Sequence, residues 1–157
     1  MSAVTTVDRL RALADEFPRP GCDWEERPRF EPPATSQAIA ELELAVGFQF
    51  PAELREFLEQ TDSVIALSIH NGYWIGGISQ LLNGDLPRVA DGQAVIPVAT
   101  DGGGNAFLLG LGGAIWRWDH ETGRVELAAA SFGAFLERVV EDWMAYIDDR
   151  PGWRFMV

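Results

Sequence analysis

At 157 residues, 47% of them hydrophobic, the chain is one domain's worth of material, and a chain of that size buries roughly 68–70% of the surface its unfolded form exposes, so it needs no covalent staple. Twenty-four acids against twelve bases give a formal net charge of −12, which sets the protein against nucleic-acid backbones and anionic membrane surfaces and favours a basic partner. The lone Cys22 excludes an internal disulfide and a cysteine-rich zinc site, and no apolar run approaches the roughly 20 residues that cross a bilayer.

The opening MSAVTTVDRLRALADEF carries acids and lacks the basic-then-apolar order of a signal peptide, so a cytoplasmic protein is expected. Its Val4, Val7, Leu10, Leu13 and Ala14 recur at helical spacing and predict an amphipathic helix over 3–17. The next stretch, PRPGCDWEERPRFEPPAT, holds five prolines and reads as an extended arm with a short edge strand around Trp24, which would pin the arm to the body. Thr35 or Ser36 then caps a helix that turns Ile39, Leu42 and Val46 inward and stops at Gly47. Pro51 suits the first turn of another helix, because its missing N–H is not needed there; Leu54, Phe57 and Leu58 form its inward stripe, and Glu53, Glu56 and Glu59 its solvated side.

From Ser63 the period changes. SVIALSI, YWIGGISQLL, AVIPVA, NAFLLGL, AIWRW and RVELAAA are short, rich in β-branched and aromatic residues, and separated by HNG, NGD, DGQ, DGGG, LGG and HETG, the pattern of an antiparallel meander. The last segment, SFGAFLERVVEDWMAYIDD, is a helix capped by Ser131, with Phe132, Phe135, Leu136, Val139, Val140 and Trp143 on one side. Helices grouped on either side of antiparallel strands predict an α+β fold: a sheet of about five to six strands with helices mainly on one face. The whole of 1–157 reads as a single domain, with 1–34 as helix and arm and 35–143 as the core.

Chemical motifs are thin. The run Asp101-Gly102-Gly103-Gly104-Asn105 offers the first two glycines of a dinucleotide loop, but Phe107 stands where the third is needed, and Phe107, Leu109 and Leu111 then alternate as in a strand. The run is read as a turn in which Asp101 and Asn105 bond the backbone. Asp119, His120 and Glu121 resemble an acid/base cluster, yet with Thr122 and Gly123 they are read as a hairpin loop; a hydrolase using Asp101, Asp119 or His120 is the minority reading. With no lysine, there is no Schiff-base amine and no P-loop lysine. No ligand spacing supports a metal, and no cofactor is expected. Tyr73 and Trp74, after the turn signal His70-Asn71-Gly72, and Trp116 with Trp118, which share one strand face, are aromatic candidates for contact with a partner.

VGFQFPAELREFLEQTD, IPVATDGGGNAFLL, IWRWDHETG and ASFGAFLERVVEDW, in that order, resemble the SUKH superfamily, the Smi/Knr-type domain of fungal cell-wall regulators and many bacterial immunity proteins. The likeness runs from about Thr35 to Trp143. It departs after the second helix of the pair, where this chain has Gln60-Thr61-Asp62 instead of Asn-Gly. The resemblance implies a non-enzymatic α+β binding domain whose bacterial members neutralise a toxin; a regulatory scaffold of the fungal type is the alternative. The expected partner is a basic toxin, with no nucleic acid and no membrane, contacting Tyr73, Trp74, Asp101, Asn105, Trp118 and His120.

Overall fold

The computed structural model describes residues 2–157. Helix α1, Ala3–Ala14, starts on Ser2, whose hydroxyl accepts the Thr5 N–H, and buries Ala3, Val7, Leu10 and Ala14 against the later helices; Val4, expected on the inward stripe, is exposed at its edge. The arm follows. Its edge strand, β1, lies at Arg29–Phe30 and not around Trp24. Trp24 is 67% exposed and pins nothing; the neighbouring Glu25 holds the arm instead. The Glu25 carboxylate accepts from the Arg19 backbone N–H at 2.9 Å, from the Arg19 guanidinium and from the Tyr146 hydroxyl at 3.0 Å.

Helices α2, Ser36–Val46, and α3, Ala52–Gln60, form where the capping signals put them. The Thr35 hydroxyl accepts the Ala38 N–H at 3.0 Å, and Gly47 ends α2 at φ 85°, a conformation that glycine adopts without strain. Glu43 ties the pair together, accepting from the Phe50 N–H at 2.6 Å and the Arg55 guanidinium at 2.7 and 2.8 Å. Leu54, Phe57 and Leu58 are fully buried.

The strands are β2 Ser63–Ala66, β3 Tyr73–Gly76, β4 Val89–Ala90, β5 Gln93–Asp101, β6 Ala106–Gly110, β7 Ile115–Trp118 and β8 Val125–Ala129. They build one antiparallel meander in the order β1-β2-β3-β5-β6-β7-β8, with β4 paired to β5. That makes eight strands against the five to six expected, because the two-residue β1 and β4 leave no alternation to read. The apolar segment YWIGGISQLL also splits: it is strand only to Gly76, and Ile78–Leu82 form a short helix, α4. Gly76 and Gly77 have φ of 82° and 62°, which ends the strand, and a Cβ on Gly76 would collide with the Asp62 carbonyl.

Helix α5, Phe132–Ile147, begins on Ser131, whose hydroxyl accepts the Ala134 N–H at 3.1 Å. With α3 it covers one sheet face, while α1 packs on α3 and α5, and α2 on α3. Trp143, Phe132, Phe135 and Leu136 meet Phe57, Tyr73, Ile75, Phe107 and Leu109 there in one core. The opposite face carries no long helix. Ala106, Leu108, Trp116 and Trp118 pack there in a smaller cluster with Val95, Val125, and Leu86 and Ala90 from the chain around β4. No described helix is long and apolar enough to cross a membrane.

Candidate partner-binding surface

The Asp101–Asn105 turn is a knot of side chain and backbone. The Asp101 side chain is fully buried and accepts from the Gly103 N–H at 2.8 Å, the Asn105 N–H at 3.0 Å and the Asn105 amide at 3.0 Å. Asn105 in turn accepts from the His120 N–H at 3.1 Å and lies 3.2 Å from its Nδ1. Gly104, at φ 89°, sits under the His120 ring, and the Gly102 N–H donates to the Asn71 carbonyl at 2.8 Å. Three connections are thus fastened together: the turn before β3, the turn before β6 and the hairpin between β7 and β8.

Asp119 also serves its loop, accepting from the Glu121 N–H at 2.8 Å and the Thr122 N–H at 3.2 Å. Those two backbone donors hold its carboxyl below the usual range. Both carboxylate oxygens of Asp101 and Oδ1 of Asp119 are engaged in holding turns. Among the described residues, no three His, Cys, Asp or Glu side chains converge as metal ligands.

The aromatic candidates separate. Tyr73 points into the helix-covered core, is 2% exposed, and donates its hydroxyl to Asp142 at 2.8 Å. Burial first, and the Asp142 charge second, push its ionisation far upward. Tyr73, a candidate for partner contact with the core as the alternative, is a core residue: strand alternation, with the helices on that side, buries it. Trp74, next in the strand, faces the other way and is half-buried. Its indole N–H is buried with no hydrogen-bond partner among the described residues. It borders a depression of about 390 Å³ with Arg29, Glu31, Asp62, Ile65 and Gln80. Burial, and then the Glu31 charge, raise the Asp62 carboxyl above its ordinary value.

Trp118 lies on the same face as Trp74. The register runs Trp74 to Thr100, Thr100 to Ala106 and Ala106 to Trp118, so three strand spacings, about 14 Å, separate the tryptophans. Trp118 is half-buried beside Trp116 and Val125, at the end of the sheet where Asn105 and His120 meet. Of the six candidates, Asp101, Asn105, Trp118 and His120 come together, Trp74 shares their face of the sheet, and Tyr73 does not.

The SMI1 / KNR4 family (SUKH-1) model matches residues 33–138, the stretch that holds α2, α3, the meander and the first half of α5. The chain belongs to the SMI1/KNR4 family. No curated protein matches it. The SMI1/KNR4 match starts just before the α2 cap and ends within α5, leaving α1, most of the arm and the segment after α5 outside.

Outside that match sits a contact the sequence reading missed. Asp142 in α5 is fully buried, yet it accepts from the Tyr73 hydroxyl, from the Trp153 indole at 2.9 Å and from the Met156 N–H at 3.0 Å. It straps the last residues onto α5. The available signal was an acid one residue before Trp143, beside a helical stripe with no other charge.

Proposed function

We propose that this chain is a non-enzymatic binding protein that neutralises a basic, nucleic-acid-targeting toxin by stoichiometric binding, as an immunity protein does. The observation that carries the reading is the net charge of −12 in a member of the SMI1/KNR4 family. An acidic binder gains association rate toward a basic toxin and competes for the surface that otherwise meets phosphates. Trp74 and Trp118, large amphipathic side chains half-exposed on the helix-free sheet face, supply anchors of the kind that dominate interface energetics. Asn105 and His120 form the polar rim beside Trp118, and Asp101 holds both through the turn. The arm and α1 belong to the same binding unit, since α1 packs on α3 and α5.

The test is co-expression with the product of an adjacent toxin-like gene. Protection of the host and a one-to-one complex are the expected result. Lack of both rejects the reading, and association with several cellular proteins instead would point to a regulatory scaffold. A turnover assay on the Asp119→Ala, His120→Ala double variant addresses hydrolysis: a loss of orders of magnitude in any activity would restore the enzyme reading.

A further inference from the structure

The turn between β2 and β3, His70-Asn71-Gly72, is gripped by a distant part of the chain. His70 has φ 48°, a left-handed conformation that a side chain other than glycine's keeps only where its surroundings hold it. Phe155, beyond the end of α5, stacks its ring on the His70 imidazole, 4.1 Å between centroids and 12° between planes. The same ring meets Tyr146 of α5 edge-on at 6.5 Å, so it links the turn to that helix. Just past the turn, the Tyr73 hydroxyl donates to Asp142, and that carboxylate also accepts the N–H of Met156, the residue after Phe155. The turn is therefore held at both ends by α5 and the strap laid over it.

The strap is itself firmly set. Trp153 donates its indole N–H to Asp142 at 2.9 Å and carries the Arg138 and Arg150 guanidiniums over its ring, each 5.0 Å from the centre, while Arg138 donates to the Arg154 carbonyl. On its other side the turn abuts the candidate surface. The Asn71 carbonyl accepts the Gly102 N–H at 2.8 Å, and a Cβ on Gly102 would stand 2.2 Å from that carbonyl, so the two backbones touch with no side chain between them. Gly103 and Asn105, next along, donate to the Asp101 carboxylate, and Asn105 holds the His120 N–H. A displacement of the 70–72 turn thus meets nothing soft before it reaches Asn105 and His120. Residues 153–157 lie outside the 33–138 stretch that the family model matches, whereas both turns lie inside it.

We propose that Phe155 is a positioning residue: by stacking on His70 it fixes the 70–72 turn, and through the bond from Gly102 to Asn71 it holds Asn105 and His120 in the arrangement that the protein partner meets. Without the ring, the turn loses its contact with the strap, and Gly102 loses a fixed acceptor. A rim ordered before the partner arrives has less conformational freedom to lose on association. The role given to the rim rests on the binding-protein reading; the link from the strap to the rim does not.

The test measures amide hydrogen exchange by NMR on the full chain, with the turn between β6 and β7 as the control. That turn, at the opposite end of β6, is closed by the Gly110 N–H on the Ala114 carbonyl and the Gly113 N–H on the Gly110 carbonyl, both at 3.0 Å. Phe155→Ala should speed exchange roughly tenfold at Gly102, Gly103 and Asn105 and leave Gly110 and Gly113 as in wild type. Phe155→Tyr keeps the stack and should keep the wild-type rates. His70→Asn suits the left-handed backbone, removes the stack from an exposed position and should reproduce the pattern of Phe155→Ala, so the link is tested even where Phe155→Ala does not fold. The two changes together should exchange no faster at Gly102 than either alone, since both remove one contact. Unchanged rates at Gly102, Gly103 and Asn105 in His70→Asn, equal acceleration at Gly110 and Gly113, acceleration by Phe155→Tyr, or additive effects in the double variant would overturn the proposal. In the toxin co-expression assay, folded Phe155→Ala should protect less than wild type. Full protection by it would sink the positioning role and leave the binding reading intact, whereas no protection by wild type would sink the reading itself while the exchange rates still decide the link.

Discussion

The two faces of the sheet are built from the same alternating strands, yet they do different work. On one, Tyr73, Ile75, Phe107 and Leu109 share a core with side chains of α3 and α5 and are sealed from water. On the other, Trp74, Trp116 and Trp118 are half-buried, covered in part by the chain around β4. Tyr73 and Trp74 are neighbours in sequence and similar in chemistry, and they fall on opposite sides of this divide. An aromatic residue in a strand thus takes its role from what packs over it, and substitution should separate stability on one face from the proposed binding on the other.

The largest effect should come from the sealed face. Trp143→Ala removes a fully buried indole that packs against Tyr73 at 6.2 Å between ring centroids, and should cost about 3–5 kcal/mol in denaturant unfolding. A cost below 1 kcal/mol would break the distinction between the faces. Next, Asp142→Ala leaves the Tyr73 hydroxyl, the Trp153 indole and the Met156 N–H without an acceptor. About 3 kcal/mol of stability should go, and hydrogen exchange should rise first in residues 153–157.

On the open face, Trp74→Ala should speed dissociation of the proposed toxin partner and weaken binding by about 2 kcal/mol, with a smaller loss of stability. A variant that loses both equally would move Trp74 to the sealed class. Association should slow steeply as added salt shortens the Debye length from about 10 Å to about 3 Å, while dissociation changes less. Salt-independent association would reduce the acidity to a matter of solubility.

A smaller effect tests the clasp of the arm. Burial pushes the Glu25 carboxyl up, but the Arg19 guanidinium and N–H, with the Tyr146 hydroxyl, outweigh it and hold the carboxyl below its ordinary value. A depressed folded value means that this stabilisation is fully present above the unfolded value of about 4.3 and is lost as pH falls through the lower folded one. Wild type should therefore lose more stability than Glu25→Gln between neutral pH and about pH 3, as followed by thermal melts. Parallel pH profiles for the two proteins would show that Glu25 contributes nothing through its charge.

Much of this was written locally. The caps at Thr35, Gly47 and Ser131, the inward stripe of α3, the turn held by Asp101 and Asn105 and the hairpin loop at Asp119 each follow from bonds within about five residues, so the residue types alone call for them. The family likeness is legible for the same reason, being a series of such local signals in order. The position of β1, the bond from Tyr146 to Glu25 and the strap at Asp142 rest on partners between 11 and 121 residues away, and no periodicity records those. The sequence by itself determined the elements and which residues share a strand face, because side-chain alternation is a property of the backbone. Only the tertiary structure decided which of the two faces the helices seal, and so made Tyr73 a core residue and left Trp74 open, because burial depends on segments brought together from far along the chain.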